Sequence, residues 1–200
     1  PLNPARICTP ASVAAHTMYE QASPFELHEP EGVVELAGAR FEQVDAHTVR
    51  VAGATMRPRS GPRKLKLEGA RRVGFRSFVL AGIRDPNVIA SLDAIEATVQ
   101  DAVARNLGAA FAGVEYRLGF RYYGRDAVLG RLEPERRVPH EVGVLVEAIA
   151  PDQEMAGVVL SLARSSFLHC PFPGRRTTAG NLAFPFSPSD TAGGPVYEFS

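Results

Sequence analysis

The feature that most constrains the fold is a series of six segments in the C-terminal two thirds of the chain. Four of them have the alternation or the apolar run of β-strands, and two have apolar residues at helical spacing. In chain order they are strand 74–82, helix 86–107, strand 115–123, strand 140–150, helix 151–169 and strand 195–200. The order β-α-β-β-α-β is that of the split βαβ, or ferredoxin-like, fold. It predicts an α+β domain with a four-stranded antiparallel sheet and two helices on one face.

The apolar residues of these segments indicate which faces form the core. The first helix follows Asp85 and Pro86, an N-cap residue and a favoured first helical residue. Its apolar stripe consists of Val88, Leu92, Ile95, Val99, Ala102 and Val103. In the strand at 115–123, one face carries Tyr116, Leu118, Phe120 and Tyr122. We expect the two amphipathic helices to cover one face of the sheet.

The N-terminal third has a different pattern. Thr9 and Pro10 mark the start of a helix, and β-rich runs at 33–36, 40–44 and 48–51 predict a short antiparallel segment. The alternating RKLKL at 63–67 predicts an edge strand.

We therefore predict two domains. Residues 1–72 form a helix and a β-rich connecting segment that could pack with an N-terminal domain absent from this chain. Residues 73–200 form the ferredoxin-like domain, with a long Pro/Arg/Asn loop at 171–194.

Part of that loop, PFPGRRTTAGNLAFPFSPSD at 171–190, has neither helical nor strand periodicity. Its four prolines stiffen it, and loops longer than about 12–15 residues inside compact domains are often binding or lid elements. Arginine binds carboxylate or phosphate through two parallel hydrogen bonds, and hydroxyl groups and glycine N–H groups add donors. The predicted substrate-binding residues are Arg175, Arg176, Thr177, Thr178, Gly180 and Asn181. The alternative is a structural loop whose arginines pair with carboxylates such as Asp190 or Glu198.

Two further places could contribute chemistry. Arg84 lies between the first strand and the first helix, where N–H groups at a helix start could help it bind an anion. Asp85 as a plain N-cap explains the same turn without a function. His169 and Cys170 could form a thiolate–imidazole pair, but they are adjacent and no orienting acid is evident, so a packed cysteine is the simpler interpretation. No catalytic residue is predicted.

Composition and motifs exclude several classes of function. Lys+Arg and Asp+Glu both total 22, so the chain lacks the basic surplus of a nucleic-acid binder. No apolar run approaches the roughly 20 residues that span a bilayer. Cys8 and Cys170 fit neither a disulfide framework nor a metal site, and they indicate the cytoplasm. Because P-loop, G-x-G-x-x-G, H-E-x-x-H and G-x-S-x-G motifs are missing, we predict no cofactor and no metal.

Several stretches resemble the C-terminal part of the AtuA-type acyclic terpene utilisation family. They are TPASVAAHTMYE, FVLAGIRDP, HEVGVLVEAIAP, and FPGRRTTAGNLAFPFSPSD followed by GPVYEFS. The resemblance covers nearly the whole chain and is most specific in the final loop. It implies bacterial catabolism of branched or terpenoid acids, a longer polypeptide with a further N-terminal domain, and a small companion protein. It supplies no reaction and no catalytic residues.

Two functions remain open at this point. The first is the C-terminal domain of a catabolic enzyme that acts on an organic acid or an acyl-CoA thioester, with hydratase/lyase or isomerase chemistry. The second is a non-catalytic assembly domain that docks the N-terminal domain, a second copy of the chain or the companion protein through its open sheet face. The stiff loop favours the first function. The missing acid–base constellation favours the second.

Overall fold

The structure is a computed structural model with helices and antiparallel sheets, which confirms the predicted α+β class. It describes residues 3, 5–19, 21–65, 67–108, 111, 113–135, 137–176 and 178–199. The chain divides into two compact units, Pro1–Glu68 and Gly69–Ser200. Each unit is described by itself. None of the helices within the described ranges is long and apolar enough to cross a membrane.

The first unit begins with helix α1 (Pro10–Thr17). The Thr9 hydroxyl accepts a hydrogen bond from the Ser12 N–H, and the Ser12 hydroxyl accepts one from the Thr9 N–H, which forms a reciprocal cap. Five strands follow, β1 (Glu26–Glu29), β2 (Gly32–Glu35), β3 (Arg40–Asp45), β4 (Thr48–Ala52) and β5 (Thr55–Pro58). They form a three-stranded sheet in the order β1-β2-β5 and a separate β3-β4 hairpin.

The edge strand predicted at 63–67 is wrong. Residues 63–65 and 67, the described part of that stretch, are not in a strand. The third strand of the sheet is β5, and Arg57 within it donates a 2.8 Å hydrogen bond to Glu35 of the neighbouring strand. This cross-strand ion pair accommodates an arginine in a strand, in a stretch to which the sequence analysis assigned no element.

The second unit contains the longer elements. They are β6 (Ala70–Ile83), α2 (Pro86–Ala90), α3 (Leu92–Leu107), β7 (Arg117–Tyr123), β8 (Val142–Ala150), α4 (Gln153–His169) and β9 (Asp190–Phe199). A short 3-10 helix, Gly130–Leu132, lies between β7 and β8. The four strands form one sheet in the order β7-β8-β6-β9, and every neighbouring pair is antiparallel.

One face of this sheet carries the core of the unit. Val79 of β6 lies opposite Val146 of β8, which lies opposite Phe120 of β7. Because strand side chains alternate, every second residue on these strands points to the same side. The buried helical residues that pack in the same core include Leu92, Ile95, Val99 and Val103 of α3 and Val159, Leu160, Ala163 and Phe167 of α4. The opposite face, called here the helix-free face, includes Phe78, Leu80, Leu145 and Tyr123.

Two predicted element bounds are corrected. The helix predicted at 86–107 is divided at Ser91, whose φ of −106° and ψ of 7° separate α2 from α3. This turn buries Ile89 and Leu92 on the same core. The last strand begins at Asp190 rather than at residue 195, so the loop is shorter than predicted. Gly194 in this strand donates its N–H to the Gln153 side chain at 3.1 Å.

Candidate functional site

Three connections meet at one end of the four-stranded sheet. β6 ends there at Ile83 and β7 ends at Tyr123, while β8 and β9 begin there. The β6–α2 turn, the β7–β8 connection and the loop between α4 and β9, called here the α4–β9 loop, are therefore neighbours. The two cavities described below are built from these connections.

The first cavity, called here the groove, has a volume of about 610 Å³. It lies between the α4–β9 loop and the β6–α2 turn. Its lining includes Arg84, Asp85, Asn87, Gly174, Arg175, Arg176, Gly180 and Asn181. Gly82 and Ala183 exchange two backbone hydrogen bonds of 2.8 and 2.9 Å, which join the loop to β6. The structure thus brings predicted loop residues and Arg84 to the same groove.

Arg175 holds the loop on the C-terminal end of α4. One terminal nitrogen of its guanidinium donates to the His169 carbonyl at 2.7 Å and to the Cys170 carbonyl at 3.3 Å. The other donates to the Ala179 carbonyl at 3.1 Å. The last carbonyls of a helix have no partner within it, so the bonds to His169 and Cys170 satisfy carbonyls at the end of α4. The bond to Ala179 ties the loop to the same guanidinium. Arg175 thus shapes one wall of the groove.

Asn181 reinforces the same helix end. Its side-chain amide donates to the carbonyls of Phe167 and Cys170, both at 2.9 Å. Its backbone N–H donates to the Leu168 carbonyl at 2.9 Å. With both amide hydrogens of the side chain engaged, Asn181 presents mainly its carbonyl oxygen to any further partner.

Arg84 and Arg176 differ from these two residues. Both are exposed and line the groove, and neither makes a hydrogen bond or ion pair with another residue that the structure describes. The carboxylates that were considered as structural partners of the loop are engaged with other residues. Asp190 pairs with Arg164 at 2.6 Å, and Glu198 pairs with Arg117 at 2.6 Å.

The other predicted loop residues have varied positions. Gly180 lines the groove and passes so close to Leu168 that a Cβ there would overlap its side chain. Thr178 is exposed and is not one of the groove-lining residues. Thr177 lies outside the described residues.

Asp85 acts as the N-cap of α2, as its simpler interpretation predicted. Its carboxylate accepts hydrogen bonds from the N–H groups of Asn87 at 2.7 Å and Val88 at 3.4 Å. These donors are therefore already occupied, and α2 is only five residues long. The positive charge at this wall of the groove comes from Arg84 and not from the helix start.

Cys170 has the properties of a packed cysteine. It is buried, and its Sγ atom lies 3.6 Å from the carbonyl oxygen of Pro171. Burial raises the pKa of the Cys170 thiol, and the nearby Arg175 charge only partly offsets this effect. A nucleophilic cysteine needs the opposite shift, so these observations favour the structural interpretation.

The second cavity, called here the tyrosine cavity, has a volume of about 650 Å³ and was not predicted. At its wall, the buried Tyr122 of β7 donates its hydroxyl to Oε2 of Glu96 at 3.1 Å. The Gln100 side-chain amide donates to Oε1 of the same carboxylate at 3.3 Å. The guanidinium carbon of Arg125 lies 4.6 Å from the centre of the Tyr122 ring.

Arg125 is itself held by two carboxylates. Its Nη1 lies 2.7 Å from Asp93, and its Nε lies 3.1 Å from Asp126. Glu96, Tyr122 and Arg125 therefore form a connected acid–base cluster, which the sequence analysis did not locate. No group of three His, Cys, Asp or Glu side chains arranged to hold a metal ion occurs in the described part of the chain.

The environment changes the acidity of this cluster. Burial raises the pKa of the Glu96 carboxyl, although the hydrogen bond from Tyr122 opposes the shift. The charge of Asp93 raises the same pKa further, and Arg125 lowers it. Burial also raises the pKa of the Tyr122 hydroxyl far above its ordinary range, and the Glu96 charge adds to that shift. Tyr122 therefore remains protonated and acts as the donor.

One signal in the sequence points to this cluster. Glu96 lies four residues after Leu92 and three before Val99, so a carboxylate interrupts the apolar stripe of α3. A buried tyrosine hydroxyl usually has a hydrogen-bonding partner. These two facts predict that Glu96 and a tyrosine on the facing strand could meet, but they do not identify which tyrosine.

The sequence model of a family described as "Acyclic terpene utilisation family protein AtuA" matches residues 3–183. No protein with a curated description and no solved structure matches the chain. The matched residues include those that line the groove and the tyrosine cavity.

Proposed function

Because the chain belongs to the AtuA family of acyclic terpene utilisation proteins, we propose that its second unit binds the anionic part of an organic acid or an acyl-CoA thioester. The proposed binding site is the groove. In this proposal the unit is the C-terminal domain of a catabolic enzyme with hydratase/lyase or isomerase chemistry. The expected substrate carries a branched or terpenoid acyl group.

The observation that carries this proposal is that one groove contains two arginines, Arg84 and Arg176, that have no hydrogen bond or ion pair with the described part of the chain. They come from two different connections of the fold. A guanidinium group matches a carboxylate or a phosphate through two parallel hydrogen bonds. Two such groups on one concave surface favour a ligand that carries negative charge.

The roles of Arg175 and Asn181 support the same proposal. Their hydrogen bonds to the end of α4 hold the loop in place before any ligand binds. A binding surface that is ordered beforehand loses less conformational entropy when the ligand arrives. We therefore assign substrate contact to Arg84 and Arg176, and positioning to Arg175 and Asn181.

Thermal unfolding of the whole chain with coenzyme A tests the proposal. A ligand that binds only the folded state stabilises it by about 2.7 kcal/mol at 100 times its Kd. We expect coenzyme A to raise the melting temperature of the unmodified chain, and Arg84→Ala and Arg176→Ala each to reduce the shift. Dephospho-coenzyme A and small branched carboxylic acids, tested in parallel, identify which anionic group is bound.

Arg105→Ala is the matched control, because Arg105 is an exposed arginine of α3 outside both cavities. It should keep the full shift. If no probe shifts the melting temperature, or if Arg105→Ala reduces the shift as much as Arg84→Ala, the assignment of the groove is wrong.

The helix-free face supports a second candidate function, assembly. Leu80 and Tyr123 on this face are 40% and 46% exposed, and Phe78 and Leu145 are half-buried. Apolar side chains grouped on an open sheet face are typical of a surface that another protein covers. The candidate partners are the N-terminal domain or a separate subunit, a second copy of this chain and the small companion protein. A nucleic acid or a membrane is not a proposed partner.

Light scattering during size-exclusion chromatography tests the assembly function. If the face joins two copies, the chain is an oligomer and Leu80→Asp converts it to a monomer. The companion protein and the N-terminal domain are then tested as binding partners of a monomeric chain. A monomer that binds neither of them contradicts the assembly function.

We also propose that the second unit has the ferredoxin-like fold and that the protein acts in the cytoplasm. The element order β-α-β-β-α-β and the placement of β8 and β6 in the middle of the sheet support the first proposal. The free cysteines Cys8 and Cys170 support the second, because free thiols persist in a reducing compartment. An experimental structure and cell fractionation test them separately.

A further inference from the structure

The tyrosine cavity contains a half-buried carboxylate, Glu96, whereas the carboxylate of the groove, Asp85, is engaged as the N-cap of α2. We propose that this cavity is a proton-transfer site for the acyl part of a thioester or branched acid, with Glu96 as the base and Arg125 as a hydrogen-bond donor to the carbonyl oxygen. This inference rests on the proposed function for its substrate class. It adds a second site and a chemical step.

The first argument is that the Glu96 carboxylate is held in one orientation. Each of its oxygens accepts one hydrogen bond, from Tyr122 at 3.1 Å and from Gln100 at 3.3 Å. Tyr122 is only 2% exposed, so its ring and hydroxyl are fixed by packing. A carboxylate has about four lone-pair sites, so Glu96 can still accept a proton from a ligand.

The second argument is that Arg125 has a donor to spare. Its Nη1 and Nε atoms pair with Asp93 and Asp126, but Nη2 makes no hydrogen bond with any residue that the structure describes. The guanidinium is half-buried against the Tyr122 ring and lines the same cavity as Glu96. A positioned cationic donor of this kind stabilises negative charge that develops on a carbonyl oxygen.

The third argument is the lining of the cavity, which combines apolar and charged side chains. The apolar residues are Ile89, Ala90, Phe120, Ala127, Val138 and Pro139. The other charged residues that line the cavity are Asp93 of α3, Arg121 of β7, and Arg125, Asp126, Arg131, Glu133, Glu135 and Arg137 of the β7–β8 connection. A volume of about 650 Å³ is within the usual range of small-molecule sites and admits a branched acyl group.

The proposed step is a proton transfer and needs no oxidant or reductant. The C–H bond next to the thioester carbonyl breaks, and an O–H bond forms on Glu96. The electron pair of the C–H bond becomes part of an enolate, whose oxygen accepts a hydrogen bond from Arg125. In a 2-enoyl thioester the proton can leave from the γ carbon and return to the α carbon, which shifts the double bond. The raised pKa of Glu96, caused mainly by burial, suits a base that works closer to neutral pH.

The two cavities share a wall. Asn87 and Val88 of α2 line the groove, and Ile89 and Ala90 of the same helix line the tyrosine cavity. A five-residue helix is about 7.5 Å long. The pantetheine arm of a CoA thioester is longer than this, so one thioester can engage the groove with its anionic part and the tyrosine cavity with its acyl part.

Hydrogen–deuterium exchange into a thioester tests the inference. The whole chain is incubated in deuterium oxide with 3-methylbut-2-enoyl-CoA, and in a second reaction with the N-acetylcysteamine thioester of the same acid. Proton NMR follows the loss of the α and γ proton signals. We expect exchange in both reactions and a rate about 100-fold lower for Glu96→Gln, because a positioned general base contributes roughly 10²–10⁴-fold.

Two further variants complete the design. Asp101→Asn is the matched control, since Asp101 is an exposed carboxylate of α3 outside both cavities, and it should exchange at the original rate. Tyr122→Phe tests a positioning residue. Its hydroxyl lowers the pKa of Glu96, so removing it should move the acid limb of the pH–rate profile to higher pH. An unchanged profile contradicts the role of Tyr122.

The outcomes separate this inference from the proposed function. The N-acetylcysteamine thioester lacks the phosphates of coenzyme A, so its exchange depends on the tyrosine cavity and not on anion binding in the groove. If coenzyme A stabilises the chain but neither thioester exchanges, the inference is overturned and the proposed function stands. If Glu96→Gln exchanges as fast as the unmodified chain while remaining folded, Glu96 is not the base.

Discussion

The hydroxyl of Tyr122 donates a 3.1 Å hydrogen bond to Oε2 of Glu96, joining strand β7 to helix α3 over a separation of 26 residues. Tyr122 belongs to the buried face of the sheet, while Glu96 interrupts the apolar stripe of its helix. Burial disfavours the ionised form of a carboxylate in this position. The contact therefore links the stability of the unit to the protonation state of one side chain.

The first prediction concerns this link. Burial raises the pKa of Glu96 in the folded chain, so between the unfolded and folded pKa values the folded state holds a proton that the unfolded state has lost. The resulting stability is present below the unfolded pKa and is lost as the pH rises through the folded pKa. Glu96→Gln removes this titration and keeps an acceptor for Tyr122. The melting temperature of the variant minus that of the unmodified chain should grow as the pH rises from the ordinary glutamate pKa through the raised pKa of Glu96 in the folded chain. A melting-temperature difference that does not change with pH contradicts the raised pKa of Glu96.

The second prediction separates the two adjacent arginines of the α4–β9 loop. Arg175→Ala removes the hydrogen bonds that the guanidinium donates to the carbonyls of His169, Cys170 and Ala179, and it should lower the free energy of unfolding by about 1–3 kcal/mol. Arg176→Ala changes an exposed side chain and should alter it by no more than about 0.5 kcal/mol. Urea unfolding measures both values. Equal effects would mean that Arg175 does not hold the loop.

The third prediction concerns the amide of Asn181. Asn181→Ala loses two hydrogen bonds to the end of α4 and should destabilise the unit by about 1–2 kcal/mol. Asn181→Asp should cost more, because a carboxylate would face the same carbonyl oxygens without a donor. Asn106→Ala, at an exposed position of α3, is the control and should change stability by about 0.5 kcal/mol or less. If Asn181→Asp is as stable as the original chain, the Asn181 amide does not stabilise the end of α4.

The fourth prediction concerns the core beneath the two cavities. Phe167 is 0% exposed, and its ring centre lies 6.1 Å from that of Phe120. Phe167→Ala should destabilise the unit by about 3–5 kcal/mol, because it removes buried contacts and leaves a cavity. Phe186, which is 65% exposed, supplies the control, and its replacement by alanine should cost about 0.5 kcal/mol or less. Chemical denaturation measures the difference, and similar costs for the two variants would contradict the packing.

The core of the second unit was predictable from sequence because its periodicity is strong. Leu92, Ile95, Val99 and Val103 were predicted on one stripe of α3, and all four are buried. The division of the helix at Ser91 was not predictable, since neither glycine nor proline marks it. It depends on packing: a tight turn buries Ile89 and Leu92 together.

The start of β9 was missed for a related reason. Gly193 and Gly194 have low strand propensity, so residues up to 194 were predicted as loop. Pairing with β6 overrides this propensity, although the register shifts between Arg76 and Ser77 where the glycines lie. Pairing with a strand that is distant in the chain determines where β9 begins, and local strand propensity does not predict that pairing.

The candidate site was predictable in part. The stiffness and charge of the α4–β9 loop identified Arg175, Arg176, Gly180 and Asn181, which line one groove with Arg84. The sequence did not predict that Arg175 and Asn181 hold the end of α4, because these hydrogen bonds depend on how the loop folds back over up to 14 positions. The cluster of Glu96, Tyr122 and Arg125 brings together α3, β7 and the β7–β8 connection. The sequence shows a carboxylate beside the apolar stripe of α3, but it does not identify the tyrosine or the arginine that meets it.

NMR titration shows whether the groove binds an anionic ligand. Coenzyme A is added to the whole ¹⁵N-labelled chain, and backbone amide shifts are followed to saturation. The predicted result is that saturable shifts concentrate at residues 82–88 and 174–183 and disappear when Arg84 and Arg176 are both changed to alanine. The absence of saturable shifts, or shifts confined to β7 and β8, would contradict anion binding in the groove.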